Sequence, residues 1–109
     1  MKIVYSDQIA CLEAMGRLLS ENAPAPWEWI RSIGTLDGDA TMIESVYQPL
    51  GLVGGEPECY VIEDAERDGE LADCYQQLAR LLSEGNSGLF AKCHYFLDRN
   101  GQYRADYEY

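Results

Sequence analysis

A chain of 109 residues is long enough for one domain, spanning residues 1–109, and too short for two. With 47% apolar and 11% aromatic residues it can form a core that buries roughly 65% of the unfolded surface, which excludes a disordered tail. Nineteen acidic residues against eight basic ones give a formal net charge of −11, a field that repels phosphates and anionic lipid and argues against direct contact with nucleic acid or a membrane surface.

The first predicted element is an amphipathic helix from Asp7 to Glu21, with Ser6 as its N-cap, Asp7 in its first turn, and Ile9, Leu12, Met15 and Leu19 at helical spacing. Ser6, Asp7, Gln8, Glu13 and Arg17 break any apolar run, so no export signal is expected from Met1 to Ser20. Asn22, Pro24 and Pro26 end the helix. A strand follows, with Trp27, Trp29 and Ile33 expected on its buried face. The Asp37-Gly38 step predicts a hairpin into a second strand from Ala40 to Tyr47.

Pro49, Gly51, Gly54, Gly55 and Pro57 then mark a loop, expected to be the most mobile segment, before a short strand at Cys59–Ile62. Leu71, Cys74, Tyr75, Leu78, Leu81 and Leu82 describe a second helix from Ala65 to Ser83, capped by Asp64 and closed by Gly85. Alternation places Leu89, Ala91, Cys93, Tyr95 and Leu97 on one face of a fourth strand and Phe90, Lys92, His94 and Phe96 on the other. Asn100-Gly101 turns the chain into a last strand, Tyr103 to Tyr109. This order predicts an α+β fold: a single antiparallel sheet of about five strands with two helices packed on one face.

The most informative feature is a run of carboxylates. Glu56, Glu58, Glu63, Asp64, Glu66, Asp68, Glu70 and Asp73 stand in one window, with Arg67 the only opposing charge. Carboxylates at a helix start are favoured by the macrodipole by about 0.3–1 kcal/mol each, which accounts for Asp64, Glu66 and Asp68 better than for Glu56, Glu58 or Asp73. The functional alternative is a surface that steers a basic protein partner, such as an enzyme that cleaves nucleic acid and must itself be basic, with Tyr60 and Tyr75 as the aromatic anchors.

The residues offer little for catalysis or metal binding. A calcium loop across Glu63–Glu70 would have Ala65 and Arg67 where ligands are needed. Nothing else in the chain supports a sugar cleft around paired carboxylates. Adjacent strand residues point to opposite faces, so Cys93 and His94, the single histidine, do not form a nucleophile–base pair. Cys11, Cys59, Cys74 and Cys93 contain no C-x-x-C pair and read as reduced thiols of a cytoplasmic protein; two disulfides would call for export. No cofactor or metal is expected, and the chain is not expected to be an enzyme. Tyr103, Tyr107 and Tyr109 share one face of the last strand, where packing is the default role and an interface the alternative.

The leading helix, the Pro24-Ala25-Pro26-Trp27 entry into a strand, and the closing Phe96-Leu97, Gly101-Gln102-Tyr103 and Tyr107-Glu108-Tyr109 together resemble the YezG-like antitoxin and immunity family. The resemblance covers nearly the whole chain in element order and departs from the family at Gly51–Pro57. It implies a small cytoplasmic bacterial protein that binds and neutralises a cognate toxin domain, commonly a nuclease. Together with the acidic window, it implies a partner-binding set of Glu56, Glu58, Tyr60, Glu63, Asp64, Glu66, Asp68, Glu70, Asp73 and Tyr75. The alternative is a small-molecule or regulatory domain with an aromatic pocket built from Trp27, Trp29 and the C-terminal tyrosines.

Overall fold

The computed structural model describes residues 4–24, 26–51, 55–84 and 88–109. Its elements run α1 (Gln8–Glu21), β1 (Trp27–Asp37), β2 (Ala40–Pro49), β3 (Glu58–Tyr60), α2 (Ala65–Glu84), β4 (Lys92–Asp98) and β5 (Tyr103–Glu108). The fold is α+β. One five-stranded sheet in the order β3-β2-β1-β4-β5 is antiparallel throughout, and both helices pack on the same face. Gly85, expected to close α2, and Ala25 and Gly54 of the two Pro/Gly segments lie outside the described residues.

The helix entries are set by aspartates. Asp7, rather than Ser6, caps α1: its backbone is extended and its carboxylate accepts a hydrogen bond from Ala10 N at 2.8 Å. At the other end, side chains reach the last carbonyls of the helix, those of Leu18 and Leu19. Asn22 Nδ2 donates to the first at 2.7 Å and Tyr60 Oη to the second at 3.0 Å, so β3 is tied to the end of α1. Asp64 caps α2 as expected, its Oδ1 accepting from Glu66 N at 2.9 Å and Arg67 N at 3.4 Å.

The hairpins form where the Asp-Gly and Asn-Gly steps predict them. Gly38 and Gly101 hold φ of 62° and 84°, a region closed to most side chains. In the second turn Asp98 Oδ1 also gathers the amides of Asn100 and Gln102.

The sheet corrects two predicted faces. A register irregularity between Trp27 and Trp29 separates the two tryptophans, so the face of β1 under the helices is Ile30, Ser32 and Gly34, while Trp29 and Ile33 lie on the other side. Before β4 the alternation also fails. Phe90 is buried and Leu89 exposed, because the strand begins only at Lys92 and the residues ahead of it do not follow its pleat. Within β4, Cys93, Tyr95 and Leu97 face the core as predicted.

Close fitting fixes α2 over β1. Tyr75 lies across Gly34 so tightly that a Cβ there would come within 2.6 Å of its ring. Its hydroxyl donates to Ser32 Oγ at 2.7 Å, which also accepts from Ser45 Oγ at 3.1 Å, so three buried hydroxyls join α2, β1 and β2. Gln76 Nε2 reaches the hairpin tip at Thr41 Oγ1, 2.9 Å away.

Candidate functional site

The acidic window begins at Glu56, two residues ahead of the edge strand β3, and continues through the connection into α2. Tyr60 and Ile62 turn into the core, leaving Val61 and Glu63 exposed between them and the helix. Pinned by the Asp64 cap, the first turn of α2 then leaves Glu66 and Asp68 exposed.

The eight carboxylates divide into two groups. Glu58 accepts from Tyr47 Oη at 2.7 Å, Asp64 caps the helix, Glu70 pairs with Arg67 at 2.7 Å, and Asp73 accepts from Gln77 Nε2 at 2.6 Å. Glu56, Glu63, Glu66 and Asp68 are exposed, and among the described residues no side chain pairs with any of their carboxylates. Like charges about 8 Å apart repel by roughly 0.5 kcal/mol in water-like surroundings. The helix dipole offsets that cost only for the two in the first turn. Local structure therefore accounts for one half of the window and leaves the other half unanswered.

The aromatic anchors expected beside these acids are not at the surface. Tyr75 is 0% exposed and Tyr60 is 8% exposed, each with its hydroxyl committed to the interior, to Ser32 Oγ and to Leu19 O. Burial pushes both phenols up from their ordinary range. Tyr75 follows the apolar stripe of α2, and Tyr60 packs edge-to-face on Tyr47 at 5.6 Å, so neither is available to touch a partner.

Partly exposed aromatic groups and exposed apolar ones lie instead on the helix-free face of the sheet, where the sequence reading placed Trp29 of its alternative aromatic pocket. Trp29 stacks on Phe96 with ring centroids 5.9 Å apart, Arg31 covers the Trp29 ring at 5.8 Å and Arg104 covers Phe96 at 5.4 Å. Pairing across β3, β2, β1, β4 and β5 aligns Cys59, Val46, Arg31, Phe96 and Arg104 in one row. Met42 and Val61 add exposed apolar surface toward the acidic edge. The Trp29-x-Arg31 spacing, two residues on one face of a strand, carried the signal, but it becomes readable only once the irregularity after Trp27 is known.

The remaining sequence candidates resolve into packing and surface contacts. His94 Nε2 meets Glu108 Oε2 on the open face, and that hydrogen bond holds the Glu108 carboxyl below its ordinary range. Cys93 is buried on the opposite side, where burial pushes its thiol up to about 12. Tyr103 stacks on Tyr95 and Tyr107 on Phe90, while Tyr109 is exposed. The expected aromatic pocket is thus divided: Trp27 and Tyr103 line a groove beside α1, and Trp29 sits across the sheet from it. Among the described residues, no group of His, Cys, Asp and Glu is arranged to hold a metal ion, and no helix is long and apolar enough to cross a membrane.

Set against known proteins, the chain matches no protein-family model and no curated sequence.

Proposed function

We propose that this chain is an immunity-type binding protein that neutralises a basic toxin domain, a nuclease by the chemistry of its charge, in the cytoplasm of the cell that makes both. The observation that carries this is a set of four exposed carboxylates, Glu56, Glu63, Glu66 and Asp68, that meet no side-chain partner among the described residues and flank β3 and the start of α2. A surface of one sign accelerates encounter with a basic partner and discourages acidic ones. A nuclease holds its substrate with lysine and arginine, and carboxylates placed on those side chains deny them to the phosphates. Val61, 73% exposed beside Glu63, supplies apolar contact within the charged rim. The likeness to YezG-like immunity proteins at Trp27, Gly101, Tyr103 and Tyr107 points the same way. The four free thiols, three of them buried, suit a reducing compartment.

Co-expression with the C-terminal domain encoded by the adjacent reading frame tests this directly. A tag on either chain should recover both, and the toxicity of the domain expressed alone should disappear. Recovery of neither chain with the other, together with undiminished toxicity, would remove the immunity role.

A further inference from the structure

We propose that the groove between α1 and the β4–β5 hairpin is a binding site for a small organic anion with a planar apolar ring. The proposal is independent of the toxin-binding role, since the groove is lined by α1, β1 and the β4–β5 hairpin, away from the carboxylates of the β3–α2 edge.

One wall is a helical stripe. Glu13, Gly16, Arg17 and Ser20 recur at the spacing of a single face of α1, and that face looks across at Trp27, Tyr103 and the turn residue Arg99. The space between is about 310 Å³, the size for a one-ring acid rather than a dinucleotide. Its floor is fixed. Tyr95 Oη donates to Leu12 O at 2.7 Å, and a Cβ on Gly16 would stand 2.8 Å from that hydroxyl, so glycine lets α1 sit close without filling the groove. Trp27 and Tyr103 are half-buried, each offering ring surface to a flat ligand.

The charge of the lining selects the ligand's sign. Arg17 and Arg99 are two of the eight basic residues in the chain, against one lining carboxylate, Glu13. Arg99 meets Glu28 only at 3.7 Å with both side chains about half exposed, and no ion pair holds Arg17 among the described residues. Two guanidinium groups are therefore available to a carboxylate or phosphate at the mouth. Because the chain as a whole repels anions, charge alone binds weakly there, and the ring must add its own burial between Trp27 and Tyr103.

The two tryptophans provide a reporter. Trp29→Phe leaves Trp27 as the only tryptophan, at the groove, whereas Trp27→Phe leaves only Trp29 on the opposite face. Phenyl phosphate and benzoate serve as probes, with inorganic phosphate and benzyl alcohol supplying the charge and the ring separately. At least one probe should change Trp27 emission saturably, the Trp27→Phe protein should not respond, and Arg17→Gln or Arg99→Gln should weaken the response about tenfold, as loss of a charge-assisted contact does. Both separated controls should bind more weakly than that probe. No saturable response to either probe up to about 50 mM, weaker than any affinity such contacts would give, overturns the site. So does a response unchanged by both arginine variants, or one matched by benzyl alcohol.

Discussion

The segment from Glu56 to Tyr75 has two sides that obey different rules. On the inner side Tyr60, Leu71, Cys74 and Tyr75 are buried in close contacts, down to a glycine opposite a ring and a buried acceptor for each tyrosine hydroxyl. On the outer side Glu63, Glu66 and Asp68 meet no side-chain partner among the described residues, and no packing specifies them. Neighbours in sequence thus divide between stability and recognition. Substitutions on the inner side should lower stability, and substitutions on the outer side should lower association while leaving the fold intact.

The largest effect should come from the inner side. Gly34→Ala forces a methyl group to within 2.6 Å of the Tyr75 ring, and α2 must shift off the sheet to admit it. Overpacking of this kind costs about 2–3 kcal/mol, read as a lower urea midpoint at unchanged slope. A midpoint equal to that of the parent protein would erase the distinction between the two sides. Tyr75→Phe and Tyr60→Phe keep the rings and remove only the hydrogen bonds to Ser32 and Leu19, so each should cost about 1 kcal/mol in the same titration.

Asp64 lies on the boundary. It is exposed and acidic like its neighbours, yet it caps α2, so Asp64→Ala should lose about 1 kcal/mol of stability. Reversing Glu63, Glu66 and Asp68 to lysine together should change stability by less than about 1 kcal/mol, because lost dipole stabilisation is offset by attraction between the new lysines and the carboxylates that remain in the window. That triple variant should associate with the cognate basic domain at least about tenfold more slowly at low salt. Equal losses of stability in the single and triple variants would place all four acids in one class.

Alkaline pH sharpens the same contrast, with a smaller effect. Burial pushes the thiol of Cys11 up to about 11 and those of Cys74 and Cys93 to about 12, from an ordinary value of 9.0. A folded-state pKa above the unfolded one means the folded chain holds protons that the unfolded chain has released. The resulting stabilisation is complete below pH 9.0 and is lost as pH rises through 11 to 12. Urea midpoints should accordingly stay level through neutral pH and fall above about pH 9. Exposed Cys59 should be the thiol that a disulfide reagent labels in the folded protein, with the other three reacting on unfolding.

Much of the fold was legible in the sequence because its signals are local. The Asp-Gly and Asn-Gly turns, the Asp64 cap, the leucine spacing of α2 and the alternation of Cys93, Tyr95 and Leu97 each depend on residues within a few positions of one another. The orientation of β1 was not legible. One irregular residue near Trp27 exchanges its faces, and the burial of Ser32 and Gly34 makes sense only beside Tyr75, more than forty positions away. Tyr60 and Tyr75 misled for a related reason: proximity to charge in sequence says nothing about which way a strand or helix turns its aromatic residues. The Trp29–Phe96 stack and the groove beside α1 both join residues from separate elements, and no single stretch carries either.

The most direct test of the acidic edge is the salt dependence of its association rate with the cognate basic domain, measured by stopped flow for the parent protein and for the Glu63, Glu66 and Asp68 lysine variant. Steering by these carboxylates predicts a parent rate that falls steeply between about 50 and 500 mM salt and a variant rate that is slower and nearly flat. Matching rates and matching salt slopes would contradict it, leaving these three exposed acids as solvated surface.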